Sequence, residues 1–173
     1  MKKSLFIFSI VLFALCSCQK TPVQNFCGSY SFKTGGHLEL LGKVFDMENP
    51  LVLKDTVFTR SLLPENGQLR IVEASGDRVK LTMNVFVGSP VVFDGTVNGN
   101  SITLEPIERR VVIYRDTELV DLFDEVLLKV WGTGEKYGNS LIINLEYGGS
   151  FRLGLVPCTV KSSNVKCVAV ENE

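Results

Sequence analysis

The sequence predicts an all-β domain: an antiparallel meander closing as a barrel with one short helix, a β-sandwich being the alternative. Three observations predict it. The stretch "RVKLTMNVFV", Arg78–Val87, alternates strictly, with Val79, Leu81, Met83, Val85 and Val87 on one face and Arg78, Lys80, Thr82 and Asn84 on the other; that is the pattern of a half-buried strand. About ten short apolar runs follow one another at regular spacing, as in a barrel or sandwich. Turn signals separate them: Asn66-Gly67, Gly76-Asp77, Gly88-Ser89-Pro90, Asn98-Gly99 and Gly148-Gly149. Asn-Gly between alternating runs is the strongest short hairpin cue.

The chain opens with Met1-Lys2-Lys3-Ser4, then "LFIFSIVLFALC", apolar except for Ser9. A spanning helix needs about 20 apolar residues, so this run is too short to cross a bilayer. It fits the central part of a secretory signal. Leu15-Cys16-Ser17-Cys18 resembles the lipobox of bacterial lipoproteins. The resemblance implies a signal peptide over residues 1–17, cleavage before Cys18, and acylation of Cys18 with diacylglycerol and a further fatty chain such as palmitate. Two or more chains anchor stably where one does not. Gln19 stands where Asp would favour the inner membrane, so the resemblance implies the outer membrane of the cell envelope, with the leaflet open. Residues 18–26 then read as the lipidated Cys and a short tether, and 27–173 as a single β-barrel domain. A Cys-x-Cys metal pair at Cys16 and Cys18 lacks partners at ligand spacing.

The mature length suits one domain with a real core. Loss of Lys2 and Lys3 takes the formal net charge from −1 to −3. No basic block appears, which argues against nucleic acid as a partner.

Further strands are read in "GSYSF", "LELL", "PLVLKDTVFTR", "QLRIVEA", "VVFDGTV", "SITLEPI", "RVVIYRD", "LLKVWGTG", "SLIINLEY", "FRLGLVPCTV" and "VKCVAV". One segment differs. In "DTELVDLFDEVLLKV", Leu119, Val120, Phe123, Val126 and Leu127 follow helical spacing, and Asp116 or Thr117 can cap the start. The spacing predicts a helix over 117–126, placed to plug one mouth of the barrel. Its acidic residues Glu118, Asp121, Asp124 and Glu125 read as a solvated face; they lack the spacing of a calcium loop.

Cys27, Cys158 and Cys167 follow the tether. "CTVKSSNVKC" is symmetric about Ser162-Ser163. Folded as a hairpin there, it sets Cys158 across from Cys167, at a separation that a disulfide can bridge. A Cys27 disulfide and three reduced thiols are the alternatives.

The stretches "FCGSYSF", "GTVNGNSITL" and "VWGTGEKYGNSLIINLEY" resemble the small lipocalin-like, or calycin-like, β-barrel lipoproteins of Bacteroidetes-type bacteria. Tyr30 stands where the lipocalin Gly-x-Trp tripeptide has Trp. The resemblance implies architecture; fold alone does not fix function.

Catalytic signatures are missing, and no cofactor is implied. His37 is the one histidine, in "TGGHLEL", with no triad motif around it. "GTGEKYG", Gly132–Gly138, leads into a strand and not into the helix that a phosphate loop requires. Glu105 and Glu108 offer a carboxylate pair, as any carboxylate-rich chain does. Two functions outrank an enzyme. The first is a binding module holding a small apolar or amphipathic ligand, with Tyr30, Phe32, Val79, Leu81, Met83 and Phe93 lining a cavity or simply filling the core. The second is a protein-interaction module, an inhibitor of an envelope enzyme or an accessory subunit, using the loops "SLLPENG" and "VFVGSP". A deep internal pocket favours the first, and a rim of exposed aromatics the second.

Overall fold

The computed structural model describes residues 21–46, 48–49, 52–86, 88–114 and 123–172. A short helix, α1 (Pro22–Phe26), precedes ten strands: β1 (Gly28–Phe45), β2 (Leu53–Ser61), β3 (Asn66–Ser75), β4 (Arg78–Val85), β5 (Val91–Asn98), β6 (Ser101–Tyr114), β7 (Phe123–Tyr137), β8 (Ser140–Gly148), β9 (Ser150–Leu153) and β10 (Val156–Glu171). Every pairing between these strands is antiparallel. Eight of them form a ring, β1-β3-β4-β5-β6-β7-β8-β10, closed by β1 against β10 from Tyr30↔Glu171 to Gly42↔Cys158. The fold is therefore a β-barrel, as the alternation predicts.

The long strands β1 and β10 run on beyond the ring. There β2 pairs with the outer half of β1, His37 to Phe45, and β9 pairs with the start of β10. A bridge from Leu62 to Ile113 ties the end of β2 back to β6. Gly36 marks the crossover: its φ is 146°, and a Cβ there would lie 2.1 Å from the Asn164 carbonyl oxygen. Only glycine fits so close an approach.

Alternation sets the core. Tyr30, Phe32, Val79, Leu81, Met83 and Phe93 are all buried, within one apolar cluster that fills the barrel. Two-residue turns at Gly76-Asp77, Gly99-Asn100 and Gly138-Asn139 join the hairpins. Thus "GTGEKYG" is the end of β7 running into a turn. Asn66-Gly67, by contrast, is no turn and begins β3. Gly67 is small because β4 crosses closely: a Cβ on it would sit 2.0 Å from the Asn84 carbonyl oxygen.

Further expectations are corrected. The helix expected at 117–126 is strand over its last four residues; residues 115–122 lie outside the described residues. β7 pairs with β6 from Tyr114↔Phe123 inward, and Leu127, read as apolar helix face, is exposed while Val126 is buried. The acidic set is correspondingly split. Asp124 accepts a hydrogen bond from the Gly154 N–H (3.1 Å), and Glu125 faces Arg110 at 3.8 Å.

The disulfide between Cys158 and Cys167 is also corrected: both are free thiols on one strand. Nine positions of strand span about 30 Å. No hairpin forms at Ser162-Ser163 because β1 is long enough to pair with the whole stretch, with Cys158 opposite Gly42 and Cys167 opposite Thr34. Nine positions apart should put the two thiols on opposite faces. The bulge at Lys161 adds one residue and turns both inward. Unreduced, denatured domain of residues 19–173 should therefore titrate with three thiols in a DTNB assay; one thiol would restore the disulfide.

Burial pushes the Cys167 thiol from its ordinary 9.0 up to about 12, with a smaller push from Glu65. Above about pH 9 the unfolded chain loses this proton while the folded chain keeps it. Stability then falls by about 1.4 kcal/mol per pH unit until the folded thiol ionises. Unfolding free energies from urea titrations between pH 8 and 11 should fall at least that steeply, because burial also raises Cys158 and Tyr147, and less steeply in Cys167→Ala.

The N-terminal segment closes one mouth. The helix α1 has a capping box: Gln24 N–H donates to Thr21 Oγ1 (3.2 Å), and Thr21 N–H to Gln24 Oε1 (3.1 Å). Val23 and Phe26 are buried. The Tyr30 hydroxyl donates to the Phe26 carbonyl (2.8 Å). Lys136 Nζ donates to the Asn25 carbonyl (2.5 Å), to Glu171 (2.7 Å) and to the Tyr30 hydroxyl (2.9 Å), and lies over the Tyr30 ring. Burial works against the Lys136 charge, but Glu171 and Tyr30 outweigh it and raise its pKa. The segment expected to be tether is folded from Pro22 onward.

Candidate binding cleft

A proline opens the wall of the barrel. β5 pairs with β6 only over Gly95–Asn98 with Ser101–Leu104, and β6 shifts register against β7 between Leu104 and Ile107. Glu105-Pro106 fills the gap. Proline has no N–H to give a ladder and sits in strands only at edges or bulges. Beyond it β6 stays with β7, and β5 stays with β4. The two strands part.

The parting forms an open cleft of about 870 Å³. Its apolar side includes Leu63, Pro64, Val85, Phe86, Pro90 and Ile107; its polar side includes Glu65, Glu108, Arg109, Arg110 and Glu125. The loops "SLLPENG" and "VFVGSP", expected as contact surfaces, meet here. Phe86 stands 75% exposed on the rim, with Leu63 and Val92 also exposed.

Sequence reasoning missed the pair that anchors the cleft. Arg109 shares the inward face of β6 with Ile107, Val111 and Ile113, and its side chain is 12% exposed. Both its Nη1 (3.1 Å) and its Nη2 donate to the Glu65 carboxylate, while Nε is buried with no partner among the described residues. The Glu65 backbone is held in turn by Thr34. Its N–H donates to Thr34 Oγ1 (2.9 Å), and its carbonyl accepts from the Thr34 N–H (2.7 Å). The ion pair thus ties loop 62–66 between β1 and β6. The available signal was "IERRVVI", where alternation from Ile107 and Val111 puts Arg109 inside.

Beside Glu65 lies a second, smaller cavity of about 60 Å³, lined by Thr34, Leu62, Glu65, Val111, Tyr147 and Val165 among others. That is room for a few waters at about 10–15 Å³ each. Burial raises the Tyr147 hydroxyl well above its ordinary range, against a smaller pull from Arg109, so it stays protonated.

The other candidates fall elsewhere. The six proposed lining residues pack in the core, away from the lining of the cleft. His37 lies within β1, opposite Asn164 and Ser61. Glu105 pairs with Arg78 at 2.6 Å, both half-exposed, and Glu108 sits on the cleft. Cys18 lies outside the described residues.

No protein-family model matches the chain, and no curated protein matches it. Among solved structures, a redesigned β-barrel is similar at a TM-score of 0.41 and 10% identity, covering 91% of this chain and 100% of its own, a likeness too loose to bear on function.

Proposed function

We propose that this chain is a lipid-anchored protein of the bacterial cell envelope whose barrel is a protein-interaction module, using the lateral cleft as its contact surface. One observation carries the reading. The barrel interior is packed by the side chains that would have lined a ligand cavity, whereas both candidate loops and the exposed Phe86 converge on the cleft. A small amphipathic ligand, the first function read from the sequence, would have to bind there as well.

The anchor fits this arrangement. From Cys18 to Pro22 the chain spans at most about 14 Å, which sets the α1-plugged mouth against the membrane. The cleft is displaced from α1 along β3: Gly28 beside α1 pairs with Ile71 in mid-strand, while Asn66, five residues earlier, lines the cleft. The contact surface is therefore set back from the membrane-side mouth by about 17 Å of strand. Cys18→Ala should abolish palmitate incorporation; a variant that still labels would refute the lipobox.

The interaction itself is tested by a photo-crosslinking residue placed at Phe86 in the native envelope, with Val168 on the outer face of β10 as control. A discrete protein adduct from position 86 alone supports the reading. Equal adducts from both positions, or a denaturant-removable small mass in native mass spectrometry with no adduct, would replace it with a carrier.

A further inference from the structure

We propose that the cleft receives an extended polypeptide segment as an added strand between β5 and β6. The proposal rests on the cleft being the contact surface and specifies what binds there.

The main chain supplies the argument. Residues flanking a two-residue hairpin turn bond to each other, so Asn98 and Ser101 face one another across Gly99-Asn100. Alternation then turns Val97 toward β4, where its N–H donates to the Asp77 carbonyl (2.8 Å). It turns Thr96, Asp94 and Val92 toward β6. Thr96 meets Thr103, but no strand among the described residues meets Asp94 or Val92 on that side. On β6 the Val112 carbonyl accepts from the Leu63 N–H (3.0 Å), on the side away from β7. Regular pairing of Ile107–Tyr114 with β7 therefore turns Arg110 and Glu108 the same way. Among the described residues, two unpaired strand edges thus flank one cleft, and Pro106 keeps them from closing on each other.

An unpaired edge is a template for another chain, and natural barrels remove such edges. This one is kept, beside exposed Phe86, Leu63 and Val92. A segment added to an edge takes affinity from main-chain bonds and specificity from alternate side chains. The lining carries three carboxylates, Glu65, Glu108 and Glu125, against two guanidinium groups, Arg109 and Arg110. It therefore favours an apolar segment of neutral or positive charge.

The test uses peptides selected from a displayed random 12-residue library on folded residues 19–173, and retained only if Phe86→Asp weakens them. N-methylation of alternate peptide amides should lower affinity at least tenfold for one parity and leave the other nearly unchanged. Val92→Pro should lower it at least tenfold, with the thermal midpoint held within a few degrees. Amide exchange at Val92, Asp94, Glu108 and Arg110 should slow on binding. Peptides indifferent to N-methylation, unchanged exchange at those amides, or no selected peptide overturns the added strand. If Phe86 crosslinks in the envelope while these tests fail, the cleft remains a contact surface and the strand alone is rejected. Failure of both removes the cleft reading altogether.

Discussion

Arg109→Met should lower the unfolding free energy by about 3 kcal/mol, and adding Glu65→Met should restore most of it. Removing one partner of a buried ion pair strands the other charge, at a cost of roughly 3–5 kcal/mol, whereas replacing both with apolar groups is often neutral. The low end applies because Glu65 keeps 26% exposure and water can reach it. The double variant also removes the unpartnered Arg109 Nε, a gain that the single variant shares. Urea midpoints of the two single variants and the double variant form the cycle. A single-variant cost below about 1 kcal/mol with additive effects would make the pair an ordinary surface contact. The stability loss should come with a local one. Glu65 and Thr34 exchange two backbone-directed bonds, so a freed Glu65 should loosen loop 62–66 and speed its amide exchange before global unfolding.

The contrast between that pair and the rest of the barrel shows what the sequence makes legible. Strand alternation is a local signal, so Val79, Leu81 and Met83 were readable as one buried face. The hairpin turns at Gly76 and Gly99 were legible for the same reason. Gly67 was misread because its cause is distant: the crossing of β4, seventeen residues later, leaves no room for a side chain. The symmetric "CTVKSSNVKC" misled in the same way. Its hairpin would satisfy local geometry, but β1 offers a partner along its full length, and a continuous ladder bonds more of the backbone. Each loop of the cleft could be named from the sequence. That the two loops meet could not, because the meeting depends on where Pro106 stops β6 from pairing with β5.

Phe26→Ala should cost about 3 kcal/mol and free the N-terminal segment. Phenylalanine-to-alanine changes in a core cost roughly 3–5 kcal/mol, and Phe26 is fully buried. A five-residue helix has no stability of its own, so α1 is held by what Phe26 and Val23 bury and by the Lys136 bond to the Asn25 carbonyl. If α1 belongs to the cooperative unit, the loss appears as a single shifted urea transition, and Thr21→Ala, which removes only the cap, costs about 1 kcal/mol. If α1 is merely draped on the mouth, Phe26→Ala leaves the midpoint nearly unchanged and protease cuts near residue 25 in both proteins. The distinction reaches the proposed anchor. With α1 docked, four peptide steps separate Cys18 from Pro22 of the folded domain. With α1 released, ten peptide steps reach Gly28 and allow about 35 Å, so the domain would no longer be held with its plugged mouth on the membrane and its cleft set back from it.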